Sequence, residues 1–142
     1  MALSKIIEKI RIAILLHKEL GVNYFQLLRE YLKKDGTVTI RIKNLSFEVD
    51  VARAIIYANI FKNIGKHGWE IASIVNNLTI FENKQKSIKL YTLIEDILEY
   101  GVVIDEIFIR EVYKADFKNK VVIDVGAYRG ESAIYFAING AK

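Results

Sequence analysis

Hydrophobic residues at the start of the chain recur every three to four positions, the spacing of an amphipathic helix. The segment from Leu3 to Leu20 follows this period, and Gly21 supplies a C-terminal stop. Its apolar positions are Leu3, Ile6, Ile7, Ile10, Ala13, Ile14 and Leu20. The period continues from Tyr24 to Lys34, and Asn23 with Gln26 fits a capping box. The pattern therefore predicts two helices in the first 35 residues.

The period changes to two after this helical region. Val38, Ile40 and Ile42 alternate with threonine and arginine, which is typical of a strand with one buried face. Lys43 and Asn44 follow as a possible turn into a second short strand. The simplest prediction for this segment is a small β-hairpin.

A helix and three short strands are predicted next. Asp50 is a suitable N-cap for a helix from about Val51 to Ile64. Short apolar segments separated by polar turns then predict a three-stranded meander. These segments are Trp69 to Val75, Leu78 to Phe81 and Ser87 to Tyr91.

The meander is followed by a second helical region. Thr92 and Glu95 fit a T-x-x-E capping box, and most of the next 20 or so residues carry helical spacing, with a possible break at Gly101. A polar turn, "DFKNK", then separates this region from the final segment. We therefore expect an α+β domain over residues 1–115 and the start of a different domain over residues 116–142.

The final segment combines a buried strand, a glycine turn and the start of a helix. Residues 121–125 are β-branched and apolar except for Asp124, as in a strand buried on both faces of a parallel sheet. Gly126 and Gly130 follow, and Ser132 lies in the first turn of the predicted helix. The dinucleotide fingerprint is absent because position 128 is tyrosine, and the phosphate-loop motif is also absent. The remaining pattern is D-x-G-x-x-x-G-x-S.

The stretch "VVIDVGAYRGESAIYFAINGAK" resembles motif I of class I S-adenosylmethionine-dependent methyltransferases, and the FkbM family in particular. Upstream, "EIFIREVYKADFKNK" is similar to the lead-in of archaeal members, and "GWEIASIVNNLTIFEN" to their pre-catalytic region. The resemblance is specific over about the last 35 residues. It implies that residues 116–142 begin a Rossmann-like α/β methyltransferase fold.

The resemblance also implies which residues bind the cofactor, S-adenosylmethionine. Asp124 would organise its methionine amino end, and Gly126 and Ala127 would bring backbone against it. Gly130 would let the helix start approach closely, with Ser132 in the first turn. Where the family has small or variable residues, this chain has the bulkier residues at positions 128 and 129, Tyr128 and Arg129.

By this resemblance the chain is the N-terminal part of a methyltransferase that methylates a hydroxyl of a small molecule or sugar in its full-length form. A doubly wound methyltransferase sheet needs further strand and helix units, and methyl transfer needs donor and acceptor held in line. We therefore expect no activity from residues 1–142 alone. The resemblance identifies neither a catalytic residue nor the methyl acceptor.

Two alternatives stay open. In the first alternative, the chain is a non-enzymatic interaction module with a relic cofactor motif. In the second, it is a small α+β domain whose glycines serve packing only. In the first case residues 121–142 would pair with another copy or a partner, because unpaired sheet edges favour association.

Composition narrows these possibilities only slightly. The 142 residues are 52% hydrophobic and 27% charged, which is typical of a folded protein. The net charge of +4 is scattered along the chain, so no nucleic-acid partner is expected. The absence of cysteine and the separation of His17 from His67 argue against a metal site. No signal peptide or membrane segment is predicted, and a cytoplasmic location is the default expectation.

Overall fold

A computed structural model describes residues 2–23 and 36–142, with side chains described for residues 7–23 and 36–142. The chain divides into two compact units, Met1–Lys62 and Asn63–Lys142. The described residues form helices and two small antiparallel sheets, so the α+β prediction is confirmed at this level. The helix predicted over residues 24–34 lies outside the described residues.

The first unit contains a long helix, a hairpin and most of a second helix. Helix α1 spans Ala2–Leu20, strand β1 spans Thr37–Ile42, and strand β2 spans Leu45–Asp50. The two strands pair antiparallel, and the connecting turn places Lys43 at a φ of 54°. The apolar positions of β1 are buried and the intervening ones are more exposed, as the alternation predicts. Both the first helix and the hairpin are therefore confirmed.

Helix α1 ends at a glycine in the left-handed conformation. Gly21 has a φ of 60°, and its amide donates to the carbonyl of His17 at 3.0 Å. A Cβ at this position would lie 3.3 Å from the Cβ of Arg41 in β1. Glycine is thus favoured both by the backbone conformation and by the close approach of the hairpin.

Helix α2 spans Val51–Lys66 and begins as predicted. The carboxylate of Asp50 accepts a hydrogen bond from the amide of Arg53 at 2.8 Å, which satisfies one of the free amides of the first turn. The division between the two units lies inside this helix.

The second unit is built around a three-stranded meander. Strands β3 (Trp69–Val75), β4 (Leu78–Asn83) and β5 (Ile88–Leu93) pair antiparallel in the order β3-β4-β5, with a bulge between Ile71 and Ser73. This confirms the predicted meander. The strands follow one another in sequence, so each pair is joined by a tight turn.

The helical region after the meander is continuous. A 3₁₀ turn, Ile94–Asp96, leads into helix α3, Ile97–Ile104, which continues as a π-helical turn over Asp105–Ile109. Gly101 lies inside α3 without a break. The capping role predicted for Thr92 is wrong, because Thr92 belongs to β5 and its hydroxyl accepts a hydrogen bond from Arg129.

A buried carboxylate marks the π-helical turn. Asp105 is 1% exposed, and its two oxygens have different partners. The side-chain amide of Asn63 donates to one oxygen at 2.6 Å, and Nε of Arg110 donates to the other at 2.7 Å. This carboxylate therefore joins the end of α2 to the end of the α3 region.

Aromatic rings form much of the core of the second unit. The ring of Phe108 lies 5.2 Å from that of Trp69 and 6.0 Å from that of Tyr135. Phe81 of β4 lies 5.7 Å from Tyr100 of α3. These contacts bring the meander, the α3 region and the last helix into one core.

The last helix, α4, spans Glu131–Ile138, and the chain then folds back on the segment before it. The amide of Lys142 donates to the carbonyl of Lys120, and that of Asn119 to the carbonyl of Gly140, both at 2.9 Å. These bonds fix the C-terminal residues against residues 119–120.

The strand predicted over residues 121–125 is not formed in this structure. The segment has no strand assignment and no ladder with any described residue. Three of its four β-branched residues are strongly exposed: Val121 79%, Ile123 84% and Val125 91%. A strand is stabilised by hydrogen bonds to a neighbour, and among the described residues no strand lies beside this segment.

The predicted boundary between residues 115 and 116 falls inside the second compact unit. It stays a prediction, since it rests on the methyltransferase resemblance of the final segment. Among the described residues, no helix has both the length and the apolar character needed to cross a bilayer.

Candidate cofactor-binding turn

Residues 126–130, which we call the glycine turn, connect the extended segment to helix α4. Gly126, Tyr128 and Gly130 all have positive φ values, of 82°, 42° and 87°. The amide of Gly130 donates to the carbonyl of Ala127 at 2.6 Å, which closes the turn. Two of these conformations are readily adopted only by glycine, and Tyr128 adopts one that is uncommon for a bulky residue.

The two glycines of the turn border open space. Apart from the adjacent residues of the chain, no atom would lie within 4 Å of a Cβ built on either Gly126 or Gly130. Protein packing therefore does not explain the absence of a side chain at these positions, whereas the left-handed backbone does. The open space would also let a ligand approach the backbone of the turn.

Asp124 and Ser132 come together across the turn. The hydroxyl of Ser132, in the first turn of α4, donates to Oδ2 of Asp124 at 2.5 Å. Ser132 is buried and Asp124 is partly exposed. The hydrogen bond fixes the carboxylate at the start of α4, beside the free amides of the helix N-terminus.

Arg129 links the turn to the meander and the 3₁₀ turn. Its guanidinium donates to the hydroxyl of Thr92 at 2.6 Å and forms an ion pair with Asp96. It also lies 5.8 Å from the ring centroid of Tyr100 and 4.9 Å from that of Tyr128. Hydrogen bonding to Asp96 raises the pKa of Arg129 above its usual value.

Glu131, the first residue of α4, is buried next to Tyr100. Burial raises the pKa of the Tyr100 phenol above its usual value near 10, and hydrogen bonding to Glu131 and its negative charge add to this. Within the described part of the chain, Oε1 of Glu131 is buried without a hydrogen-bond partner. On the side that faces α3, the N-terminus of α4 is therefore polar but covered by Tyr100.

A cavity of about 200 Å³ lies beside the extended segment and α4. It is lined by Val122, Asp124, Ala133, Phe136, Ala137, Ala141 and Lys142. Pockets for whole cofactors are roughly 300–1,000 Å³, so this space has room for only part of such a molecule. Asp124 is the acidic group in its lining.

The five residues predicted to bind the cofactor therefore lie close together, on and beside the glycine turn. Asp124 and Ser132 contact each other, and Gly126, Ala127 and Gly130 form the turn between them. Their role as a binding site stays a prediction, because no ligand contact tests it.

Sequence analysis missed the contacts that anchor this turn. Arg129 was interpreted as a bulky variant and Thr92 as a helix cap, yet the two side chains bond across 37 positions of sequence. The only available signal was a charged residue directly before Gly130. Local patterns do not predict which distant acceptor an arginine will reach.

The two histidines have local roles. Nδ1 of His17 lies 3.1 Å from the carbonyl of Val22, and Nδ1 of His67 lies 2.9 Å from that of Asn63. Over residues 2–23 and 36–142, no group of three or more His, Asp or Glu side chains is arranged to hold a metal ion.

Comparisons with protein-family models, with curated proteins and with solved structures find no match to this chain. The methyltransferase interpretation therefore depends on the motif and on the geometry of the turn.

Proposed function

We propose that this chain is the N-terminal part of an S-adenosylmethionine-dependent methyltransferase similar to the FkbM family. The observation that carries the proposal is the geometry of the glycine turn. Two left-handed glycines bracket a tight turn that leads directly into a helix, and Asp124 is held at the helix start by Ser132. This arrangement offers both a carboxylate and free backbone amides to one ligand.

In this proposal the turn binds the methionine end of the cofactor. The carboxylate of Asp124 would accept hydrogen bonds from the cofactor ammonium group, because such charge-assisted bonds are the stronger ones. The amides of Ala127 and of the first turn of α4 would face its carboxylate. The open space beside Gly126 and Gly130 would admit this part of the ligand.

The same proposal assigns residues 121–125 to the first strand of a Rossmann-like sheet and α4 to its first helix. The exposed Val121, Ile123 and Val125 would then be covered by neighbouring strands of the complete enzyme. That enzyme would methylate a hydroxyl of a small molecule or sugar. Methyl transfer needs donor and acceptor held in line, and residues 121–142 supply only the first strand and helix of the proposed sheet, so we expect no methyl transfer by residues 1–142 alone.

Calorimetric titration with S-adenosylmethionine and S-adenosylhomocysteine tests the proposal. Asp124→Ala should weaken binding by about tenfold or more, since it removes the acceptor for the ammonium group. Asp116→Ala is the matched control, because this carboxylate is 76% exposed and lies outside the turn. We expect the control to bind like the unmodified chain.

Saturable binding that is lost in Asp124→Ala and kept in Asp116→Ala supports a cofactor site at the turn. No binding of either ligand to the unmodified chain would count against cofactor binding by these residues. Equal binding by both variants would place the ligand elsewhere.

A second candidate function is an interaction module that retains a relic of the cofactor motif. The exposed apolar residues of the extended segment favour it, since an unpaired segment of this kind can add to a strand of another molecule. Sedimentation velocity of the chain and of Ile123→Lys tests this candidate. A dimer that Ile123→Lys dissociates would support it, and a concentration-independent monomer would argue against it.

A further inference from the structure

We propose that Arg129 is a positioning residue that holds the glycine turn in the conformation needed for ligand binding. The expected effect of Arg129 on ligand binding rests on the proposed function. Its structural part, that Arg129 orders the turn, can be tested without any ligand.

The backbone alone holds the turn weakly. Among the described residues, the backbone hydrogen bonds of the turn are the one from Gly130 to Ala127 and the one that Gly130 accepts from Ile134 of α4. The segment before it forms no ladder, and Val125 and Tyr128 are mostly exposed. A glycine-containing turn with so few bonds would sample many conformations.

The side chain of Arg129 supplies the missing connection. It bonds to Thr92, which is buried in β5, and to Asp96, which ends the 3₁₀ turn. Both partners belong to elements fixed by the meander and by α3. Because the guanidinium is planar and donates to two acceptors at once, these contacts restrict both its position and its orientation.

The charge of Arg129 is already compensated. Asp96 neutralises the guanidinium, and the rings of Tyr100 and Tyr128 lie close to it. An arginine that binds the carboxylate of a ligand would have to give up this ion pair. The contacts therefore favour a role in holding the turn over a role in contacting the ligand.

The anchor also leaves the ligand side of the turn free. Apart from its adjacent residues, no atom lies within 4 Å of a Cβ built on Gly126, so the Arg129 side chain does not fill the space beside this glycine. The turn is thus restrained by one side chain while its backbone stays accessible.

Hydrogen exchange and calorimetry of three variants test the inference. Arg129→Ala should speed exchange of the Gly130 amide, which donates the hydrogen bond that closes the turn, by about tenfold and weaken S-adenosylhomocysteine binding by a similar factor. Arg129→Lys should fall between this variant and the unmodified chain, because lysine keeps the charge but not the two-acceptor geometry. Arg53→Ala removes the arginine of another exposed ion pair, with Asp50, and should change neither measurement.

Unchanged exchange of β4 amides shows that each variant is folded. If Arg129→Ala does not fold, Asp96→Asn is measured instead. It should change exchange and affinity in the same direction by about threefold, because the hydrogen-bond acceptor stays and its charge is lost. Exchange and affinity like those of the unmodified chain would overturn the inference, and so would faster exchange with unchanged affinity. If the unmodified chain binds no ligand, the proposed function fails, and exchange of the turn alone decides whether Arg129 orders it.

Discussion

Asp105 gives the sharpest stability prediction for the second unit. Its carboxylate is buried and accepts hydrogen bonds from Asn63 and Arg110 at 2.6 and 2.7 Å. Asp105→Ala removes both bonds and leaves the donor of Asn63 without its acceptor. The substitution therefore breaks a contact between two elements and leaves a buried donor unsatisfied, which costs free energy.

The magnitude follows from the two bonds. A hydrogen bond to a charged group contributes about 1.5–3 kcal/mol, so two give roughly 3–6 kcal/mol before any discount. The side chain of Arg110 is 64% exposed and regains water in the variant, which reduces its share to about that of a surface pair. We therefore expect a net loss of about 2–3 kcal/mol in the free energy of unfolding.

Trp69 provides the assay. It is the single tryptophan of the chain, is 3% exposed and packs on Phe108, so its fluorescence reports unfolding of this core. With a urea dependence of about 1–1.5 kcal/mol per molar, the midpoint for Asp105→Ala should fall by about 2 M. Asp105→Asn keeps an acceptor for Asn63 and should lose about half as much.

The control is Asp116→Ala, which removes a carboxylate that is mostly exposed and should change the free energy of unfolding by less than about 0.5 kcal/mol. An Asp105→Ala midpoint within error of the control would refute the reasoning. It would mean that the buried bonds only offset the cost of removing the carboxylate from water.

Two further predictions concern the turn and its surroundings. Gly130→Ala should lower the free energy of unfolding by about 1–2 kcal/mol, because the left-handed backbone at this position disfavours alanine even though the added Cβ has open space. Thermal denaturation measures this loss, and an unchanged melting temperature would contradict it. The raised pKa of Tyr100 means that the unfolded chain ionises this phenol first, so its contribution to stability is present below pH 10 and is lost as the pH rises further. Urea titrations between pH 8 and 11.5 should therefore show a steeper loss for the unmodified chain than for Tyr100→Phe, and equal slopes would contradict the assignment.

Local signals predicted most elements of this fold because they act over a few residues. The alternation of Val38 and Ile40, the cap at Asp50 and the stop at Gly21 each act within one turn or strand, and the structure contains all of them. Meander strands were predicted for the same reason, since each pairs with its neighbour in sequence.

Patterns that need a distant partner were less informative. Helix α1 has the predicted period, yet Ile7, Ile10 and Ile14 of its apolar stripe are exposed. The segment from Val121 to Val125 has strand composition but no strand beside it among the described residues. Periodicity identifies an apolar face without identifying what covers it.

The candidate site likewise has a part that local sequence predicts and a part that depends on distant contacts. The positions of Gly126, Gly130 and Ser132 followed from spacing, because a turn and a helix start are local structures. The contact of Arg129 with Asp96 could not be predicted, since it depends on how α4 packs near β5 and the 3₁₀ turn. Tertiary packing, rather than the motif, determines how firmly the turn is held.

Every strand in the described part of the chain pairs with the strand next to it in sequence. The polymer loops that close when these sheets form are therefore short, and closing them costs little chain entropy. Such low contact order is associated with rapid folding. Both sheets are built from residues that precede the glycine turn, so the strand that carries Thr92 does not need the turn for its own pairing.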